Sequence, residues 1–438
     1  MKTQKNVLRW LASGSRNTAA VVLALLAIAG FEPRTIVRRC LVRQPWENVQ
    51  KRIRREVAFR RLTTAVSALT LAWLVAPTSA LAIDAYVTNN GSNNVSVVDT
   101  TTNTVMATVG VGSFPLSVAV NPKLQRAYVT NQKSNNVSVI DTATNAVITT
   151  VPVGLAPQGV AVTPDGKLSY VANGGAAGFV TNTVSVIDTA ANSVVATVTV
   201  GDHPFDVAVT PDGKHTYVTS GSSNIQPVSV IDTVTNAVVA TVAVGFPTGA
   251  VAVTPDGKHA YVTGVNLNNA AVIDTATNTV VATLTLPEPE GVAITPDGNH
   301  AYFTSGNSNN VSVIDTTTNT VVATVGVGST SFGIAVTPDG KRAYVAIFSG
   351  FPSPPGTVSV IDTATNMVAD RVAVGSQPMG VGIMTTPKFA GTPGFSNCHG
   401  QSVAALAQQF GGFSAAVAAL GFPSEQALQA AITEFCHG

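Results

Sequence analysis

The chain contains seven tyrosines, Tyr86, Tyr128, Tyr170, Tyr217, Tyr261, Tyr302 and Tyr344, and every one stands in a phrase of the type Ala85-Tyr86-Val87-Thr88-Asn89. Successive tyrosines lie 42, 42, 47, 44, 41 and 42 residues apart. A fixed period in this range marks a repeat architecture. Each repeat is one supersecondary unit that cannot bury its apolar surface alone and must stack on its neighbours.

The third unit shows the grammar. Gly159–Val162 is a short apolar strand, and Thr163-Pro164-Asp165-Gly166 is a turn in which Pro presets φ and Gly closes. Leu168–Ala172 returns, a polar loop leads to Val184–Asp188, a turn spans Thr189–Asn192, and Ser193–Val198 is a fourth strand. Each unit is thus expected to be a four-stranded antiparallel meander. The third and fourth strands carry nearly continuous Val/Ile runs, which predicts burial on both faces. Radial packing of such sheets gives a β-propeller.

The count closes at seven. Third strands end in Asp99, Asp141, Asp188, Asp232, Asp274, Asp315 and Asp362. First strands precede Pro122, Pro164, Pro211, Pro255, Pro296, Pro338 and Pro387. The first unit begins at Tyr86 without a first strand, and Gly380–Met384 is a first strand with no unit after it. The sequence therefore predicts an all-β, seven-bladed propeller closed by pairing of the C-terminal strand with the N-terminal blade, plus a small C-terminal α-helical unit. Closure leaves no orphan edge.

The phrases Tyr128-Val129-Thr130-Asn131, Val137-Ser138-Val139-Ile140-Asp141-Thr142 and Val207-Ala208-Val209-Thr210-Pro211-Asp212-Gly213 resemble the YVTN β-propeller repeat family over about residues 83–388. Many members are bacterial secreted or surface proteins, and some resemble archaeal surface-layer proteins. The resemblance implies a fold and an extracytoplasmic address; it implies no single activity.

The ends differ from the body. Residues 1–82 read as a leader. Arg60-Arg61, the apolar run 62–82 and Ala80-Leu81-Ala82 make a signal peptide over 57–82, cleaved after Ala82. Residues 1–56 read either as a start placed too early or as an anchor through the short apolar run 19–31. The propeller spans 83–387, and 388–397 is a Gly/Pro linker. Residues 398–438 show helical spacing, with Cys398 and Cys436 bracketing the unit. In an oxidising compartment these form a disulfide; the rival is a zinc site using both cysteines with His399 and His437. The expected location is periplasmic, secreted or cell-surface.

Charge excludes one class of partner. Residues 1–61 hold 14 of the 24 basic residues and 3 of the 23 acidic ones, leaving 10 basic and 20 acidic in the body. Nucleic acid is not a partner for so acidic a surface. No Cys-x-x-Cys-His occurs, so no c-type haem attachment is implied. No other cofactor or metal is expected.

Function on a propeller is expected where the units differ. The recurrent Asp is a turn former, not a catalyst. His215, His259 and His300 share one repeat position and read as strand-edge residues. Variation concentrates in the loops before the first strand and between the second and third. The binding candidates are Asp202, His203, Asp206, Glu288 and Glu290 before first strands, and Phe348 and Phe351 in the insertion 347–357. No catalytic residue is assigned. The leading expectation is a non-enzymatic exported scaffold for a protein, glycan or envelope partner. The alternatives are a hydrolase, lyase or lactonase using the rim carboxylates with His203, and a structural envelope component that self-assembles.

Overall fold

The computed structural model describes residues 83–175, 181–221, 225, 227–348, 355–385 and, in the tail, 403, 414, 416, 417 and 424–437. The expected signal peptide, the linker, Phe351, Cys398 and the side chain of Cys436 lie outside the described residues. In the tail, a helix runs Glu425–His437, with Leu428 and Ile432 buried. Ser424 caps it, its Oγ accepting the Ala427 N–H at 3.1 Å.

Seven four-stranded antiparallel sheets form the propeller. The fourth blade is typical: Pro204–Val209, His215–Ser220, Val228–Asp232 and Ala237–Val242, from the axis outward. The first blade takes its innermost strand from the far end of the chain. Pro378–Thr385 pairs with Ile83–Asn89 in the register Ile83↔Thr385 and Tyr86↔Gly382. Each innermost strand packs on the next, and the last of them, Ser331–Val336, packs on Pro378–Thr385 to complete the ring.

The repeated residues are consumed by the seams between blades. Each tyrosine is buried, and its hydroxyl meets an Asn Oδ1 in the turn of the following blade: Tyr86 to Asn145, Tyr128 to Asn192, Tyr170 to Asn236, Tyr217 to Asn278, Tyr261 to Asn319, Tyr302 to Asn366, and Tyr344 back to Asn103. The cycle is complete. Those asparagines sit at φ near 50°, as Asn278 does at 52°; Asn is among the few non-glycine residues that tolerate this region. Burial pushes the Tyr170 and Tyr217 hydroxyls up to about 12.

The recurrent Asp does what a turn former does. Asp232 Oδ1 accepts the N–H groups of Val234 and Thr235 and the Thr235 hydroxyl. Its carboxyl is held below the ordinary range by the Thr235 backbone N–H first and the Thr235 hydroxyl second. A further tie joins inner strands. The hydroxyls of Thr88, Thr130, Thr219, Thr263 and Thr304 donate to the carbonyls of Leu116, Gln158, Gly249, Glu290 and Phe332 in the following blade, at 2.5–3.1 Å. Ala172 and Ala346 occupy that position in the third and seventh blades.

One expectation needs correction. The third strands are buried along their length, as Asn136–Asp141 is, but the outermost strands are not. In Ser193–Thr199 only Val198 is fully buried, and Val195 is 56% exposed. Blades diverge with distance from the axis, so the gap beside the fourth strand is too wide for its neighbours to cover it.

Candidate functional site

The Pro-Asp-Gly and Asp-Thr turns gather on one face, and the loops before the inner strands and after the tyrosine strands gather on the other. Ile83 and Thr385 are partners at the turn face, the Ile83 carbonyl accepting the N–H of the turn residue Thr100. Both ends of the propeller therefore lie at the turn face, and the loop face points away from them.

On the loop face, the segment 202–206 introduces the fourth blade. His203 has φ 52°. Its N–H bonds the Thr181 carbonyl at 2.8 Å, and its carbonyl accepts the Gly221 N–H at 2.9 Å. Its Nδ1 lies 2.9 Å from the Gly174 carbonyl of the third blade. A carbonyl only accepts, so Nδ1 is the donor in this contact. His203 thus stitches the third–fourth seam, where Ala172 provides no hydroxyl. The left-handed backbone is architectural, because Phe114, Ala156, Glu288 and Gln377 adopt it at the equivalent place. The backbone carbonyl of Asp202 accepts the Ser220 hydroxyl.

Asp206 lies on the inner strand itself. Its Oδ2 accepts the Val251 N–H of the fifth blade at 3.0 Å. Toward the third blade it stands so close to Gly159 that a Cβ there would lie 2.3 Å from Oδ1. Burial pushes its carboxyl up to about 6, against the pull of the Val251 and Val207 N–H groups. The residue, a binding candidate from the sequence, spans three blades at the channel wall.

Glu288 and Glu290 introduce the sixth blade, with the fifth blade between them and Asp206. Asn307 Nδ2 donates to the Glu288 carboxylate, and the Glu288 N–H bonds Asn268 Oδ1 at 3.0 Å. Burial first, and the Glu288 charge second, raise the Glu290 carboxyl. The structure brings these two acids together and leaves the fourth-blade group in its own seam. Phe348 follows the tyrosine strand Arg342–Ile347 of the seventh blade and packs edge-to-face on Phe332, with ring centroids 5.7 Å apart at 83°. Among the described residues no cluster of three or more His, Cys, Asp or Glu side chains is placed to hold a metal. Nor is any described helix long and apolar enough to cross a membrane.

Glu290 apart, sequence reasoning missed a set of residues at this face. The second residue of the seven inner strands reads Met379, Leu116, Gln158, Phe205, Gly249, Glu290 and Phe332 around the ring. Phe332, Met379 and Leu116 are consecutive around the ring and partly exposed; Phe205 is 38% exposed. Lys133 Nζ lies 3.2 Å from the centroid of the Phe114 ring beside them, a cation–π contact. Aligning the inner strands on their proline turns would have found this set, because no other position of that strand varies so widely. The resulting surface has an apolar arc over blades seven, one and two, and carboxylates in blades four and six. It can dock a partner; among the described residues no nucleophile and base are placed on a common substrate position.

No protein-family model matches the chain, and no curated protein matches it. Solved structures do. The chain is similar to Kuenenia stuttgartiensis hydrazine synthase, with 27% identity over 64% of this chain and 92% of that one, at a TM-score of 0.57. It is similar to the dihydro-haem d1 dehydrogenase NirN, with 15% identity over 69% of this chain and 75% of that one, at a TM-score of 0.52. A functionally unknown protein of Desulfotomaculum acetoxidans has 17% identity over 69% of this chain and 99% of its own, at a TM-score of 0.58. These neighbours are propeller proteins, and the likeness is one of fold.

Proposed function

We propose that this is an exported, non-enzymatic propeller of the YVTN type that binds a protein, glycan or envelope partner through its loop face. The observation that carries the reading is where sameness and difference fall. The repeated Tyr, Asn, Asp and Thr are committed to seams and turns. The residues that change from blade to blade collect at the loop-face end of the inner strands, as an arc of Phe332, Met379 and Leu116 flanked by Glu290 in the blade before Phe332. Partly exposed aromatics and Met on a rigid frame are what protein interfaces enrich. The position of both propeller ends, Ile83 and Thr385, at the turn face supports an outward-looking loop face. Two of the structural neighbours carry enzyme names, but a fold does not transmit its chemistry.

The enzyme reading keeps one favourable observation: the raised carboxyl of Asp206, since perturbed groups cluster at active sites. Its position argues for a seam role, because the carboxylate is already occupied by backbone N–H groups of two blades. The test is binding of the labelled protein to isolated cell envelopes. Phe332→Ala with Phe348→Ala is expected to weaken binding at least roughly tenfold, as for loss of aromatic anchors, while the turn-face change Lys214→Ala leaves it unchanged. Equal binding by both variants would sink the proposal.

A further inference from the structure

The outer circumference of the ring carries a feature that the loop face does not explain. Every pairing of a third with a fourth strand breaks register once. Val97 pairs with Ala107 and Val98 with Val105, which leaves Met106 unpaired. The same skip leaves out Ile148, Val195, Val239, Val281 and Val322 in blades two to six. These six bulge residues are all bulky and apolar, and they are 46–56% exposed. Each is a knob projecting from the rim of its blade.

The strands that bear them carry no charge. Thr104–Gly110, Ala146–Pro152, Ser193–Thr199, Ala237–Val242, Thr279–Thr285 and Thr320–Gly326 contain no Asp, Glu, Lys, Arg or His. Edge strands that avoid partners use charge, especially Lys, or Pro; only Ala146–Pro152 has a proline, at its last residue. The seventh blade is the exception. Its skipped residue is Ala369, followed by Asp370 and Arg371. Asp370 accepts Asn103 Nδ2 of the first blade at 3.0 Å, and Arg371 reaches the Val327 carbonyl at 2.7 Å.

We propose that the circumference is a self-association surface, and that copies of this chain pack edge to edge through these knobs into a sheet of rings. The occupant follows from the pattern. A different protein would meet one arc and leave the other knobs unexplained, whereas a second ring presents the same uncharged rim and can meet it across a twofold axis. Two uncharged rims approach without desolvating or opposing ions. A lipid occupant is disfavoured because the outer strand also exposes unpaired backbone N–H and C=O groups, which hydrocarbon cannot satisfy. The bulges interrupt the ladder, so the contact is packing of side chains and not continuation of the sheet. A line contact between two rims is small against the roughly 1,000 Å² of a stable pair. Assembly therefore depends on several contacts per ring acting together. Both faces stay free, so this inference stands or falls separately from the loop-face binding proposed above.

The test uses the full chain, purified from expressing cells, with average mass followed by light scattering from micromolar to millimolar concentration. One variant carries Val195→Lys, Val239→Lys, Val281→Lys and Val322→Lys; a second carries Thr at the same four positions, which keeps the β-branched shape if the Lys set folds poorly. Wild type is expected to grow past the dimer, and the Lys set to need at least about tenfold higher concentration for the same mass. The Thr set is expected to shift the same way by less. A wild type that stays monomeric throughout, or Lys and Thr variants that both assemble at the wild-type concentration, overturns the proposal. Flotation with phosphatidylglycerol vesicles that the Lys set abolishes also overturns it, by assigning the rim to lipid.

Discussion

Asp206→Asn tests whether the partly buried carboxylate at the channel wall is a structural burden or a structural asset. The carboxyl is pushed from 3.8 up to about 6 by burial. A group raised in the folded state stabilises the fold fully below its unfolded pKa, and that stability is lost as pH rises through the folded value. The window for Asp206 therefore runs from about pH 4 to pH 6, and above it the ionised group costs about 3 kcal/mol, at 1.36 kcal/mol per unit. Asparagine keeps the shape and one acceptor oxygen for the Val251 N–H, but it loses the second acceptor, at about 1 kcal/mol. The variant should thus be more stable than wild type by about 2 kcal/mol at pH 8 and less stable by about 1 kcal/mol at pH 4. Thermal unfolding at the two pH values reads this as a change of sign in the Tm difference, with about 2–4 °C per kcal/mol. A variant that is destabilised equally at both values would refute the argument, since it would mean that Asp206 titrates as it does in the unfolded chain.

Other perturbations probe the seams and the face. Tyr217→Phe removes one of the seven inter-blade bonds and should cost about 1 kcal/mol in chemical denaturation. Asn278→Ala loses the same bond and also puts at φ 52° a residue that tolerates the left-handed region less well than asparagine, so its cost should exceed that of Tyr217→Phe; Asn278→Gly should fall between. Gly333→Ala puts a Cβ 2.3 Å from the Met379 carbonyl, a backbone atom at the closing seam; a Tm loss larger than for Tyr217→Phe and earlier proteolytic cleavage are expected. Acidification below the ordinary carboxylate range should loosen the turn face, because Asp232, Asp274, Asp315 and Asp362 are held low by Thr N–H and hydroxyl groups. Stability from a depressed carboxyl is present above its unfolded pKa and lost as pH falls; amide exchange in the Asp-Thr turns should rise there before it rises in the tyrosine strands.

The blade count, the order of strands within a blade and the closing strand were legible from the spacing of Tyr, Asp and Pro, because each blade repeats the same local turn chemistry. The recurrent Asp was legible as a turn residue for the same reason: its partners, such as Thr235 for Asp232, lie within three residues. What the tyrosines do was not legible, although they are the loudest signal. Tyr217 meets Asn278, 61 positions away, in another blade, and no local pattern announces a bond across a seam. The outer strands were misjudged for a geometric reason. Val195 and Val186 have equal hydrophobicity, but only the radius at which each sits decides whether a neighbouring blade can reach it. Asp206 makes the same point at the axis. In sequence it is one more acid before a first strand; only convergence of three inner strands turns it into a partly buried carboxylate tied to backbone. Local periodicity determined the units and their number, while burial, seams and the two surfaces left over for partners arose only when seven units closed on one another.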